Sequence, residues 1–329
     1  MLSRQNQNVV IELSAVIVAV TDNEPLVMAV PPLALPSGPF SMQHRTLEQG
    51  LRAWVKAQSG LSLGYVEQLY TFADRDRTQE SEDAGLHVVS IGYLALTRAP
   101  FAKEGSTPNK AKKNGPLRTA AWTPWYDFFP WEDHRQGVPQ AVTSAIAQGL
   151  VQWKNAAPDA ATRRARDVRI AASFPKDARQ WNEDRVLQRY ELLWEAGLLE
   201  ETRRGLPLHQ GKEKETGLIL PGHAMAHDHR RILATGIARL RAKIKYRPVV
   251  FELMPSRFTL LQLQSTVEAL AGLRLHKQNF RRLVQGQGLV IETSGHTRDT
   301  RGRPAQLFAF RPDVLRERAA AGTKLPRSS

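Results

Sequence analysis

The stretch from residue 259 to residue 285, TLLQLQSTVEALAGLRLHKQNFRRLVQ, decides the fold of the C-terminal part of the chain. Its first half repeats apolar residues at the spacing of one helix face, and Thr259 is a typical helix N-cap. Gly272 predicts the end of that helix, because glycine tolerates the left-handed backbone that closes helices. A second helix is predicted over about 276–285, so only a very short turn separates the two.

Elements on both sides extend this pair of helices. A helix is predicted upstream from His229 to about Lys243, capped by Asp228, and a short strand is predicted over Val249–Met254. Downstream, strands over Leu289–Thr293 and Gln306–Arg311 flank a polar loop and predict a hairpin. Three helices followed by a two-stranded hairpin are typical of a winged helix-turn-helix.

The second helix of the pair carries side chains that read base edges in the DNA major groove. Arg and Lys pair with guanine, and Asn or Gln form two bonds to adenine. The predicted hairpin loop adds arginines suited to phosphate contacts or minor-groove entry. The candidate DNA-binding residues are Lys277, Gln278, Asn279, Arg281, Arg282, Arg298, Arg301 and Arg303. Phe280, Leu283 and Val284 are predicted to pack the helix against its domain.

Positive charge is concentrated in this module. The chain has 46 Lys and Arg against 32 Asp and Glu, a net charge of +14 that attracts polyanions. Residues 255 to 311 contain nine basic and three acidic side chains, a net charge of +6. Nearly half of the excess therefore lies in about a sixth of the length, which favours DNA as the partner. A winged helix that contacts protein, with solvated arginines, is the alternative.

The N-terminal part of the chain predicts an α/β domain. Helical spacing over Leu47–Gln58 predicts one helix, with Gly60 as its C-cap. β-Branched and apolar runs predict the strands. These strands are Val9–Val20, Leu26–Val30, Tyr65–Phe72 and His87–Thr97.

The predicted helix and the residues before it resemble a Nudix box. That motif runs Gly, five residues, Glu, seven residues, Arg-Glu-apolar-any-Glu-Glu-any-Gly-apolar, and its glutamates hold the divalent cation that activates water. With the register placed on Gly60, the positions of these glutamates hold Arg45, Trp54, Ala57 and Gln58. Glu48 is the only carboxylate between Gly38 and Gly60. The resemblance implies a Nudix-like domain with neither catalytic residues nor a metal site.

The combination of both modules resembles Nudix-related transcriptional regulators of the NrtR type. The similar segments are Gln68–Phe72 with Arg75–Arg77, Ile91–Leu96, Ala226–Arg241, Phe258–Gln264, Asn279–Arg282 and Gly302–Ala305. They cover about residues 1–100 and 222–312. The long middle segment is closer to the longer NadQ-type regulators of NAD biosynthesis.

This resemblance implies a homodimeric repressor of NAD-biosynthesis genes that binds a double-stranded DNA operator. A nucleotide effector (NAD, ATP or ADP-ribose) would bind the Nudix-like domain, and no cofactor is required. Arg45, Arg75 and Arg77 are the candidate ligand contacts, because basic and backbone donors hold diphosphates without metal. The competing interpretation is a Nudix-type nucleotide pyrophosphatase whose metal ligands come from elsewhere in the chain.

Three regions follow from these patterns: a Nudix-like domain over 1–137, a helical insertion over 138–221, and a linker helix with the winged helix over 222–329. In the insertion, 156–165 and 203–214 are predicted as polar connections. The chain has no cysteine, hence no disulfide or thiolate site. No apolar run approaches the roughly 20 residues that span a bilayer, and the first residues lack a signal-peptide layout. We therefore expect a cytoplasmic protein without membrane contacts.

Two further clusters have competing interpretations. His223, His227 and His229 could share a metal ion, although a helix cap at Asp228 and loop geometry favour a structural role. An aromatic run could stack a nucleotide base, although packing between domains is the favoured interpretation. That run comprises Trp122, Trp125, Tyr126, Phe128, Phe129 and Trp131.

Overall fold

A long central strand organises the N-terminal sheet in the computed structural model. The structure describes residues 8–74, 86–98, 120–203, 217–246, 249–296 and 304–311. The strands of this sheet are β1 (Asn8–Thr21), β2 (Glu24–Ala29), β3 (Ser37–Pro39), β4 (Tyr65–Phe72), β5 (Leu86–Leu96) and β6 (Ala121–Pro124). Their order is β4-β5-β1-β2-β6, with β3 also paired to β1. Only the β1–β5 pair is parallel among these described strands, so the sheet is mixed.

Alternating residues of β1 build two cores, one on each face of the sheet. Leu13, Ala15 and Ile17 pack against helix α1 (Leu47–Ser59) on one face. Val16 and Val18 join the larger core on the other face, where the linker helix α5 (His229–Tyr246) lies. Helix α1 ends at Gly60, whose φ of 73° is the left-handed conformation expected from the sequence.

The middle of the chain is helical, as its sequence indicated, but one of its predicted connections is part of a helix. It forms α2 (Gln140–Asn155), α3 (Ala160–Ser173) and α4 (Val186–Glu195), and α4 packs against α5. The prediction of a polar connection over 156–165 was wrong, because α3 begins inside it. The Asp159 carboxylate accepts a hydrogen bond from the Thr162 amide at 2.8 Å and caps α3. A mostly exposed helix of this kind shows little apolar periodicity, so its cap is the stronger signal.

The C-terminal module has the predicted arrangement of helices and hairpin. It contains α6 (Leu260–Ala271), α7 (Lys277–Gly286), β7 (Val290–His296) and β8 (Gln306–Phe310). The strand predicted over Val249–Met254 was wrong: Val249–Leu253 forms a 3₁₀ turn. A strand would point alternate side chains outward, whereas the consecutive residues Val249, Val250 and Phe251 are all buried.

The aromatic run after β6 forms part of the core. Trp125, Phe128, Phe129 and Trp131 are fully buried, and Tyr126 is nearly so. Its residues pack edge to face with one another, which confirms the packing interpretation over base stacking. No helix in the described part of the chain is long and apolar enough to cross a membrane.

Candidate nucleic-acid interface and ligand domain

The first helix of the helix-turn-helix is fixed at both ends. The Thr259 hydroxyl accepts from the Gln262 amide at 3.1 Å, and the Gln262 side chain accepts from the Thr259 amide at 2.8 Å. This reciprocal capping box was predicted only in its first half. At the other end Gly272 has a φ of 71°. A side chain there would also overlap the Glu132 carbonyl oxygen, so both conformation and space require glycine.

A buried carboxylate holds the turn between α6 and α7. Glu268 Oε1 accepts from the Leu275 amide at 2.9 Å and from Gln264 Nε2 at 2.8 Å. Its second oxygen accepts from Arg274 Nη1 at 3.2 Å. Gln264 Nε2 also donates to the Leu275 carbonyl at 2.9 Å. These bonds set the direction in which α7 leaves the turn.

Replacing Glu268 by alanine is expected to lower the free energy of unfolding by about 1–3 kcal/mol, because buried donors lose their acceptor. Urea denaturation followed by circular dichroism measures this change. Glu292→Ala is the matched control, since it removes an exposed carboxylate from β7 in the same module. Equal midpoints for the two variants would show that Glu268 does not hold the turn.

Helix α7 contacts its domain through a narrow apolar stripe. Phe280 and Val284, four residues apart, are buried. Leu283, in contrast, is 56% exposed, so the prediction that it packs inward was wrong. Positions 280 and 284 share one face of a helix, and position 283 lies at its border. The sequence alone could not place that border.

The predicted DNA contacts on α7 share one property: their side chains are exposed. They are Lys277, Gln278, Asn279, Arg281 and Arg282. Arg282 Nη2 donates to Asn279 Oδ1 at 2.8 Å, and Arg281 has no ion-pair partner among the described residues. The other three candidates, Arg298, Arg301 and Arg303, lie outside the described residues. Arg257, absent from the predicted set, is exposed and lies beside Gly295 in the hairpin.

In the Nudix-like domain, two side chains at positions where the Nudix motif has glutamates bind backbone groups. Trp54 Nε1 donates to the Pro39 carbonyl at 2.9 Å, and its ring lies so close to Gly38 that a side chain there would overlap it. The Gln58 amide donates to the Ser37 carbonyl at 2.6 Å and accepts from the Ser37 amide at 3.1 Å. Both side chains therefore close the loop onto α1.

The remaining residues of this region do not assemble a cation site. Glu48 pairs with Arg52 at 2.8 Å on the surface of α1. The described residues contain no group of three or more His, Cys, Asp or Glu side chains placed to hold a metal ion. Arg45 is exposed just before α1, and its amide donates to Gln49 Oε1 at 3.2 Å. The other candidate ligand contacts, Arg75 and Arg77, lie outside the described residues.

A buried ionic network joins the two modules and the helical middle segment. Glu132 accepts from Arg189 Nε at 2.5 Å and Nη2 at 2.7 Å, and from Arg241 Nη1 at 2.7 Å. All three side chains are at most 2% exposed. Burial raises the pKa of Glu132, but the charges and hydrogen bonds of the two guanidinium groups outweigh this effect, so its pKa lies below its ordinary value.

The buried member of the histidine cluster, His229, has a structural explanation. His229 is 1% exposed; its Nδ1 accepts from the Leu35 amide at 3.0 Å, and its Nε2 lies 3.5 Å from Ser14 Oγ. The ring is therefore neutral, with its hydrogen on Nε2. Burial, aided by the nearby His227, lowers the pKa of His229 to about 3.

We expect the free energy of unfolding to fall as pH drops from about 6.5 towards 3, by up to about 1.4 kcal/mol per pH unit through His229. In that window the unfolded chain binds a proton that the folded chain excludes; above it the ring is neutral in both states. His229→Asn keeps an acceptor for Leu35 and cannot titrate, so its stability should fall less steeply. Urea midpoints at several pH values test this, and parallel slopes would contradict it.

Comparisons with known proteins agree with this architecture. Residues 250–310 match the family model described as the NrtR DNA-binding winged helix domain. The ADPR responsive transcriptional repressor NtrR of Acinetobacter baylyi (strain ATCC 33305 / BD413 / ADP1) is 40% identical over 86 residues, which are 26% of this chain and 34% of the relative. The chain thus matches about a third of that relative's length.

Two solved structures have the same fold over most of the chain. NrtR of Shewanella oneidensis, crystallised with a 27mer DNA, is 20% identical with a TM-score of 0.51, covering 93% of this chain and 95% of its own. A MutT/nudix family protein from Enterococcus faecalis is 13% identical with a TM-score of 0.50, covering 93% and 88%. The chain therefore combines a Nudix-like α/β domain with a C-terminal winged helix. Its resemblance to Nudix-related regulators of the NrtR type is confirmed.

Proposed function

We propose that this chain is a transcriptional repressor that binds a double-stranded DNA operator and is controlled by a nucleotide. The observation that carries the proposal is α7, which buries Phe280 and Val284 and presents basic and amide side chains to solvent. A helix held this way fits the major groove. Arg281 and Arg282 would donate to guanine, Asn279 to adenine, and the exposed Leu283 would contact a thymine methyl group.

The effector is a nucleotide diphosphate bound by the Nudix-like domain, with ADP-ribose the first choice. The Acinetobacter relative is by its name responsive to ADP-ribose. NAD contains the same bridging diphosphate, and the triphosphate of ATP offers similar anionic oxygens. Arg45, Arg75 and Arg77 are the proposed contacts, and no cofactor is required. A nucleotide that binds one orientation of the winged helix better must alter DNA affinity.

The domain is proposed to bind its nucleotide without hydrolysing it. Nudix chemistry needs carboxylates that hold a divalent cation. Trp54 and Gln58 stand at glutamate positions and bind the backbone of the facing loop. We expect no magnesium-dependent release of phosphate or AMP from NAD or ADP-ribose at high protein concentration. Such release, if it saturates with substrate, would favour the competing pyrophosphatase.

The proposal also covers the domain division, the oligomeric state, the location and the target genes. The units are the Nudix-like domain (1–137), the helical insertion (138–221) and the linker helix with winged helix (222–329). The protein acts as a homodimer, because paired winged helices read paired half-sites through protein symmetry. It acts in the cytoplasm. Its targets are genes of NAD biosynthesis.

A binding experiment tests the function. Purified protein is titrated onto DNA from upstream of its own gene and of NAD-biosynthesis genes, and onto shuffled DNA of equal length. Near-physiological salt is required, because at low salt a protein with a net charge of +14 binds any duplex. We expect a specific complex whose affinity ADP-ribose, NAD or ATP changes. Equal, weak binding to every duplex would contradict the proposal.

A further inference from the structure

Residues 269–274, directly before the proposed recognition helix α7, are attached to other parts of the chain by four hydrogen bonds. Tyr126 Oη donates to the Ala269 carbonyl at 2.7 Å, and Arg241 Nε donates to the Leu270 carbonyl at 2.9 Å. The His134 amide donates to the Gly272 carbonyl at 2.8 Å. Arg274 Nε donates to the Arg135 carbonyl at 3.1 Å. The first two bonds satisfy carbonyls in the last turn of α6 that its own helix leaves free, and the third binds the carbonyl of its C-cap, Gly272.

The partners of this segment come from the Nudix-like sheet and the linker helix. Tyr126 and His134 lie in the segment that follows β6, and β6 pairs with β2 in that sheet. Arg241 lies on α5, and its guanidinium reaches both the Glu132 carboxylate and the Leu270 carbonyl. A displacement of residues 126–135 would therefore move the turn before α7, because the bonds that Tyr126 and Arg241 donate to it are buried.

The helical middle segment also binds Glu132 and Arg241, and Arg241 holds the C-terminal end of α6 before the turn. Arg189 on α4 binds Glu132 through two nitrogens, and its guanidinium lies 3.9 Å from the centroid of the Trp181 ring. Its Nη1 also donates to the Asn182 carbonyl at 3.0 Å. Arg241 Nη1 donates to the Glu183 carbonyl at 3.1 Å. The network thus gives this segment a definite connection to the winged helix.

We propose that Tyr126, Glu132 and Arg241 are positioning residues that orient the recognition helix for DNA and transmit the nucleotide signal to it. Arg189 anchors them to the helical middle segment. This inference rests on the proposed function and names the route by which one site acts on the other. The nucleotide-bound and nucleotide-free states would differ in how residues 126–135 contact the C-terminal end of α6.

The test compares Tyr126→Phe with Tyr65→Phe. The first variant keeps the ring but removes the hydroxyl that binds Ala269 and lies 3.3 Å from Arg241 Nη2. The control removes a hydroxyl bonded to Lys243 on the same linker helix, outside the winged helix. For each protein, the ADP-ribose affinity is measured with and without operator DNA, and the ratio of the two values is the coupling factor.

We expect Tyr126→Phe to bind ADP-ribose without DNA as the unmodified protein does, within about twofold, while its coupling factor falls roughly 2- to 10-fold, the worth of one hydrogen bond. Tyr65→Phe should keep the original factor. Arg189→Met, which leaves Glu132 paired with Arg241, is a second variant expected to lower it. An unchanged factor in folded Tyr126→Phe and Arg189→Met would overturn this inference alone. Absence of specific DNA binding by the unmodified protein would overturn the proposed function and the inference with it.

Discussion

Glu132→Gln is expected to lower the free energy of unfolding by about 3–5 kcal/mol. Glutamine keeps the shape of the side chain but removes its charge, so Arg189 and Arg241 would remain buried without a counterion. The cost is large because both guanidinium groups are almost fully excluded from water. Urea denaturation at neutral pH, followed by tryptophan fluorescence, measures the loss.

Glu24→Gln provides the matched control for this substitution. Glu24 also pairs with an arginine, Arg135 at 3.0 Å, but its side chain is 47% exposed. Exposed ion pairs contribute about 0–1 kcal/mol, so the control should unfold close to the unmodified protein. A loss in Glu132→Gln no larger than that in Glu24→Gln would contradict the central place of the buried network.

Replacing both Arg281 and Arg282 by alanine is expected to weaken specific DNA binding by about 10²- to 10⁴-fold at near-physiological salt. Each well-placed contact to a base contributes about 1–3 kcal/mol, and both side chains project from the exposed face of α7. Stability should change little, because neither side chain is buried. Fluorescence anisotropy with operator and shuffled duplexes separates specific from general binding.

Arg163→Ala with Arg164→Ala is the control for charge alone. These two arginines are exposed on α3, so the double variant loses the same charge from another helix. General electrostatic attraction would weaken both double variants alike. We expect the α3 variant to keep its preference for the operator; equal losses would contradict a specific role for α7.

Local patterns in the sequence account for most of the fold. The β-branched run of β1, the helical spacing of α1 and the N-cap and C-cap of α6 each depend on neighbouring residues, and each was predicted correctly. Errors arose where tertiary packing outweighed local preference. The β-prone stretch from 249 to 253 is buried on consecutive residues and forms a 3₁₀ turn. Leu283 stays exposed because Phe280 and Val284 already fill the contact with the domain.

The candidate site also has one part that local sequence predicts and one part that depends on tertiary packing. The basic face of α7 was predictable, because basic and amide side chains cluster within one short helix. The buried network was not predictable, because Glu132 lies 57 residues from Arg189 and 109 from Arg241 along the chain. In the sequence Glu132 is merely a carboxylate that follows an aromatic run. Its role depends on the fold that brings three distant segments together.

The most direct test of the whole account is reciprocity between ADP-ribose and DNA. Titration calorimetry gives the ADP-ribose affinity with and without saturating operator, and anisotropy gives the operator affinity with and without saturating ADP-ribose. For a nucleotide-controlled regulator the two ratios must be equal, and we expect a common factor of about 5–150. Ratios of one in both experiments, with specific DNA binding intact, would show that the Nudix-like domain does not control the winged helix.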